Sequence, residues 1–171
     1  MYDGGMSASL MHDLSLILAR ELDGMAREIE AFPDDESVWQ TAPGVTNAAG
    51  NLALHLAGNV QHFIGALLGR TGYVRDREAE FGRRSGTRAE LVEELGRARD
   101  VAQTVLPGLP ATALEATISH PQLPGPIPAQ RLLVHLCAHA GFHLGQAGYL
   151  RRLLTEENRS VGPVPMALLV S

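Results

Sequence analysis

Apolar residues recur every three or four positions along four stretches of this chain, and proline- and glycine-rich breaks separate them. That period is the signature of a helix with one buried face, since each residue turns the helix by about 100°. The first stretch covers about 9–32, with Leu14, Leu18, Leu22, Met25 and Ile29 on one stripe before Pro33. The second covers about 47–68, where Thr46 or Asn47 is placed to cap the first free amides and Gly69 marks the stop. The third covers about 87–106. Thr87 and Glu90 form a capping box at its start, and Leu91, Leu95, Ala98, Ala102 and Val105 make its apolar face. The fourth covers about 128–154, with Pro128 suited to a first-turn position.

Four such helices without strand alternation predict an all-α four-helix bundle, one domain across residues 1–171. Two connections are long. Residues 71–86 are charged and bounded by glycines, and residues 107–128 hold six of the ten prolines. Loops of this length often cover or carry a functional site. A short extended piece is expected only at Leu114 to Ile118, and the apolar tail SVGPVPMALLVS is expected to dock on the bundle or on a partner.

Composition narrows the class. A chain of 171 residues can bury a core without disulfides, and 45% hydrophobic with 19% charged residues excludes disorder. A net charge of -5 argues against binding nucleic acid or an anionic membrane. The single cysteine, Cys137, excludes an internal disulfide and fits a reducing compartment. The start MYDGGMSASL has neither the basic nor the apolar segment of a signal peptide, and no apolar run is long enough for a membrane span. A cytoplasmic protein acting on a small molecule is the expectation. All fourteen basic residues are arginine, so chemistry that needs a lysine amine is excluded.

The candidate chemistry lies in HLCAHAGFHLGQ, residues 135–146, where three of the seven histidines stand four apart. On a helical wheel, His143 falls near the centre of the face made by Leu132, Leu136, Ala140, Ala147 and Leu150. His139 falls nearer its edge and His135 at its boundary. Two unpaired imidazoles on an apolar face are costly, so a partner is implied. The second helix shows a matching pattern: His55, Asn59 and His62 line the border of a face made by Leu52, Leu56, Val60, Phe63 and Leu67. One histidine from the second helix and two from the fourth would hold a divalent metal with an open position. Zinc, nickel and ferrous iron all accept such ligands. The uncompensated 2+ charge would acidify a bound water or thiol. His62 and His135 read as supporting residues rather than ligands, and Asn59 and Gln146 are placed to orient a ligand or a water. His12 and His120 receive no role.

Other site types fail on residue content. HAGFH lacks the glutamate of H-E-x-x-H, neither histidine helix offers the glutamates of a di-iron bundle, and no G-x-S-x-G is present. Cys137 lies nearly opposite His139 on its helix, so the two form no dyad. Haem held by two histidines would leave the third unexplained. Glycines at 141, 145 and 148 on the back of the fourth helix, and at 58, 65 and 69 on the second, predict close approach of another helix and hence a homodimer.

The segment TNAAGNLALHLAGN, followed by a later helix reading HLCAHAGFHLGQ, resembles the DinB-like (YfiT-related) superfamily of metal-dependent enzymes. RDREAEF after the second helix is similar to one uncharacterised branch of it. The resemblance implies a four-helix bundle whose metal ligands are His55, His139 and His143. It further implies a thiol-dependent S-transferase that uses bacillithiol or mycothiol, as characterised relatives do; Arg75, Arg77, Arg83 or Arg84 of the charged loop is then expected to meet anionic groups of that low-molecular-weight thiol. A metal-dependent hydrolase and a non-catalytic metal-binding or stress-response protein are the alternatives.

Overall fold

A computed structural model describes residues 4–162 apart from Gln122, with side chains described from Ser9 onward. Most of the apolar tail, residues 163–171, lies outside the described residues. The protein is all-α. Helix α1 spans Gly4–Glu30, α2 spans Ala49–Val60, α3 spans Arg77–Gly82, α4 spans Arg88–Gly108 and α5 spans Ala129–Thr155. The long helices α1, α2, α4 and α5 form the expected bundle. α1 and α2 each pack against both α4 and α5, so the order around the bundle is α1–α4–α2–α5.

The periodic residues fill one contiguous core. Leu18, Leu22, Met25 and Ile29 of α1 meet Leu91, Leu95, Ala98 and Ala102 of α4, and all are almost fully buried. Each large aliphatic side chain there contributes about 1.5–3 kcal/mol by leaving water. α1 stops where Pro33 disfavours helical backbone at Phe32 and the Asp34 carboxylate accepts from the amides of Glu36 and Ser37, at 3.1 and 2.7 Å.

Local structure departs from the sequence reading in four places. At the start of α2 neither Thr46 nor Asn47 caps. Asn51 reaches back instead, accepting from the Ala48 amide at 3.3 Å while its NH2 donates to the carbonyls of Glu80 and Arg83, both at 2.9 Å. Beyond Val60 the helix widens into a π-helix over Gln61–Leu68, with the Gly69 amide bonded to the Ile64 carbonyl at 2.8 Å. The charged stretch 71–86 is no plain loop, because it contains α3, capped by Asp76, whose carboxylate accepts from the Ala79 amide at 2.9 Å. In the proline-rich stretch, the extended piece expected at Leu114 to Ile118 is confined to a two-residue strand, β1 (Thr117–Ile118), because a 3-10 turn occupies Ala111–Glu115. The strand pairs antiparallel with β2 (Ile127–Pro128). The capping box at Thr87 and Glu90 forms as expected.

The glycine reading needs correction. Gly58, Gly65 and Gly69 are not on an outer face: an added Cβ would meet Glu80, then Thr71 and Val101, then Val105. These glycines let the chain pack on itself. On α5, Gly148 faces Glu28, while Gly141 and Gly145 do face open space. Among the described residues no helix is long and apolar enough to cross a membrane.

Candidate metal centre

α2 and α5 place the histidines. His55 comes from the middle of α2, and His139 and His143 lie one turn apart on α5. One ring nitrogen from each lies within 4.8 Å of the others. The ring centroids are 5.2 Å apart for His55 and His139, 5.1 Å for His55 and His143, and 4.3 Å for His139 and His143. The Nε2 atoms of His55 and His139 stand only 3.1 Å apart. Two nitrogens bound tetrahedrally to zinc are separated by roughly 3.4 Å.

The protons can be assigned from the neighbours. His55 Nδ1 lies 3.0 Å from a carboxylate oxygen of Glu80, which can only accept, and 3.2 Å from an Arg75 nitrogen, which can only donate; the shorter contact to the carboxylate favours the hydrogen on Nδ1 and a lone pair on Nε2. Asn59 is buried one turn further along α2, and its NH2 donates to both His55 Nε2 and His139 Nε2, each at 3.0 Å. The Asn59 NH2 thus bridges the two ring nitrogens and holds their lone pairs on the same side of the α2–α5 groove. A divalent cation bound between these nitrogens would take over the lone pairs that now accept from Asn59. His143 is fixed in the same sense, with Nδ1 donating to Gln146 Oε1 at 2.7 Å and Nε2 left as acceptor. This donor set fits a divalent cation.

Electrostatics favour neutral, ligating imidazoles. Burial, with the neighbouring rings of His143 and His55 and a smaller contribution from His135, pushes the His139 pKa down to about 4. Burial also lowers that of His143, against the bond to Gln146. Glu80 is the residue that sequence reasoning missed. Its burial raises the carboxyl pKa, but hydrogen bonds from Arg75 and His55 outweigh it, so it lies below the ordinary value and stays ionised. Arg75 donates to both of its oxygens, at 2.6 and 2.7 Å. α3 exists to hold this carboxylate: Asn51 anchors its backbone, Gly58 leaves room for Glu80, and Phe81 packs on the His55 ring at 4.7 Å. The signal was the RDREAEF segment, whose Arg75 and Glu80 form the pair.

The remaining expected residues divide. His135 is exposed and stacks on His139 at 5.6 Å. His62 stands apart from the trio and pairs with His120, Nε2 to Nε2 at 2.9 Å, which ties the proline-rich stretch to the π-helix. Arg75, expected to meet an anionic ligand, is largely shielded and held by Glu80, yet it also lines the cavity beside the histidines. Arg83 and Arg84 bond to nearby backbone carbonyls and Glu90. Arg77 is exposed over the Phe81 ring and borders, with His55, Asn59, His135 and His139, a cavity of about 450 Å³. Cys137 is half-buried with its pKa raised to about 11 by burial, so it offers no thiolate.

Comparison with known families agrees with this geometry. The profile of the DinB superfamily matches residues 17–147, from α1 through the histidines of α5. No curated protein matches the sequence.

Proposed function

The chain belongs to the DinB superfamily, and from that premise we propose that it is a metal-dependent enzyme that joins a low-molecular-weight thiol, of the bacillithiol or mycothiol kind, to an electrophilic small molecule. The observation that carries this reading is the convergence of three imidazole nitrogens within 4.8 Å of one another, with the Nε2 atoms of His55 and His139 3.1 Å apart. His55, His139 and His143 would hold the ion. A divalent cation there supplies a Lewis acid that lowers the pKa of a thiol or water bound to it. Zinc, nickel and ferrous iron remain the candidates on ligand type.

The chain's own residues do the positioning. Glu80 keeps the His55 hydrogen on Nδ1 and the ring turned inward, as carboxylates behind metal-bound histidines commonly do. Arg75 keeps Glu80 ionised. Asn59 lies against two of the ring nitrogens and can donate to a ligand atom arriving there. Arg77 at the rim of the cavity suits a carboxylate or other anionic group of the thiol. In the reaction the thiol sulfur forms a bond to an electrophilic carbon, the leaving group departs with its bonding pair, and the thiol proton passes to solvent. A reducing, cytoplasmic setting belongs to the same reading, because the thiol must stay reduced.

The test is turnover of a generic alkylating electrophile with a panel of cellular thiols, before and after removal of metal. A rate that needs both metal and one particular thiol supports the transferase. A metal-dependent rate with ester or amide substrates and no thiol would replace it with a hydrolase. No rate at all would leave a metal-binding protein.

A further inference from the structure

Two cavities flank the imidazole trio along the groove between α2 and α5, and their chemistry differs. The one bordered by His55, His139 and Arg77 is polar. The other, about 520 Å³, is walled by Val45, Leu52, Tyr149, Leu150 and Leu153. Leu52 lies one turn before His55 on α2, and Leu150 lies two turns past His143 on α5, so this cleft continues the groove on the far side of the trio. Gln146 forms the boundary. It lines the cleft, and its Oε1 accepts from His143 Nδ1 at 2.7 Å.

The lining decides what fits. A volume in this range suits a small molecule, held mainly by apolar contact with a few polar groups to orient it. Thr46, Asn47 and Gln146 supply those groups, and no charged side chain lines the cleft among the described residues. A charged ligand would lose its hydration here with no charged residue in the lining to pair with, the neighbouring Arg152 guanidinium lying over the Tyr149 ring at 4.6 Å. An alkyl or aryl body would cover apolar surface left open by the described residues, where Tyr149 is 75% and Leu153 65% exposed.

We propose that this cleft binds the electrophile: an uncharged small molecule with an alkyl or aryl body, entering from the apolar side while the thiol occupies the polar cavity opposite. The identity of the occupant as the electrophile rests on the transferase reading. The preference for uncharged apolar ligands rests on the cleft alone.

The experiment is a fluorescence titration with N-phenyl-1-naphthylamine, on metal-free and metal-loaded protein, with mass in solution followed by light scattering. The expected result is saturable binding of one probe per chain. Leu153→Glu, at an exposed position where folding tolerates the change, weakens it at least tenfold. Val134→Glu, on the same helix but outside the cleft, leaves it unchanged. Absence of saturable binding, or equal weakening by both substitutions, overturns the proposal. So does a two-copy mass that Leu153→Glu reduces to one copy without altering probe binding, which would assign the cleft to a second chain. Equal binding of an anionic naphthalene sulfonate would also overturn it. Probe binding without any thiol turnover would retire the transferase and leave the cleft. Turnover of an alkyl electrophile that the bound probe does not inhibit would overturn the electrophile as the cleft's occupant and leave the transferase.

Discussion

Two buried arginine–glutamate pairs stand in this bundle among the described residues, and the telling difference is what each glutamate holds besides its arginine. Arg151 donates to Glu28 at 2.6 Å with both side chains shielded from solvent. The other oxygen of Glu28 accepts from the amides of Val161 and Gly162, at 3.3 and 2.7 Å, so this pair fastens the chain after α5 onto α1. Arg75 grips Glu80 through two bonds, and Glu80 passes one oxygen to His55. Each carboxylate lies against a helix glycine, Gly148 for Glu28 and Gly58 for Glu80. One pair fixes backbone. The other fixes a ring with a lone pair to offer. A buried ion pair is thus no mark of a site by itself, and its third partner tells which kind it is.

The largest expected effect is on the structural pair. Arg151→Met leaves Glu28 buried without its cation and should cost about 3–5 kcal/mol of stability, read as a lower midpoint in urea unfolding. The metal content of the folded fraction should not change. If Arg151→Met removed metal while leaving stability intact, the division between the two pairs would fail.

Glu80→Gln should reverse that pattern. It keeps the shape but replaces the acceptor that orients His55, and metal affinity should fall about 10- to 100-fold in a chelator competition. Stability should drop by about 2 kcal/mol, the range for losing hydrogen bonds to a charged group. An unchanged affinity would show that Glu80 only props up α3.

The smallest effect is on pH dependence. His139 is lowered from the ordinary 6.5 to about 4 in the fold. Between those values the unfolded chain binds more protons, so stability of the metal-free protein is complete above pH 6.5 and declines as pH falls toward 4. Metal-loaded protein should hold its stability further into acid, until protons displace the ion. Thermal unfolding across pH with and without metal gives the comparison; identical curves would contradict it.

The long helices and the inward face of α5 were legible because each depends on spacing within one segment. His139 and His143 share a face by being four apart, and Thr87 meets Glu90 by being three apart. Glu80 was not legible as a partner of His55, since 25 residues separate them and a six-residue helix in a charged stretch has no clear period. The same holds for Arg151 and Glu28, which are 123 residues apart. The glycines at 58, 65 and 69 were read as an outer stripe because a wheel shows which residues share a face but not what lies against it. Asn51 meets the Ala48 amide at a local spacing of three, but its bonds to the carbonyls of Glu80 and Arg83, 29 and 32 residues away, had no local signal.

The central claim is tested most directly by counting metal in protein purified without a histidine tag, beside His55→Ala, His139→Ala and His143→Ala. The account predicts about one ion per chain in the parent and loss of that ion in each variant, while His135→Ala retains it. Metal-free parent protein that takes up none on titration, or full occupancy in any one of the three variants, would contradict it.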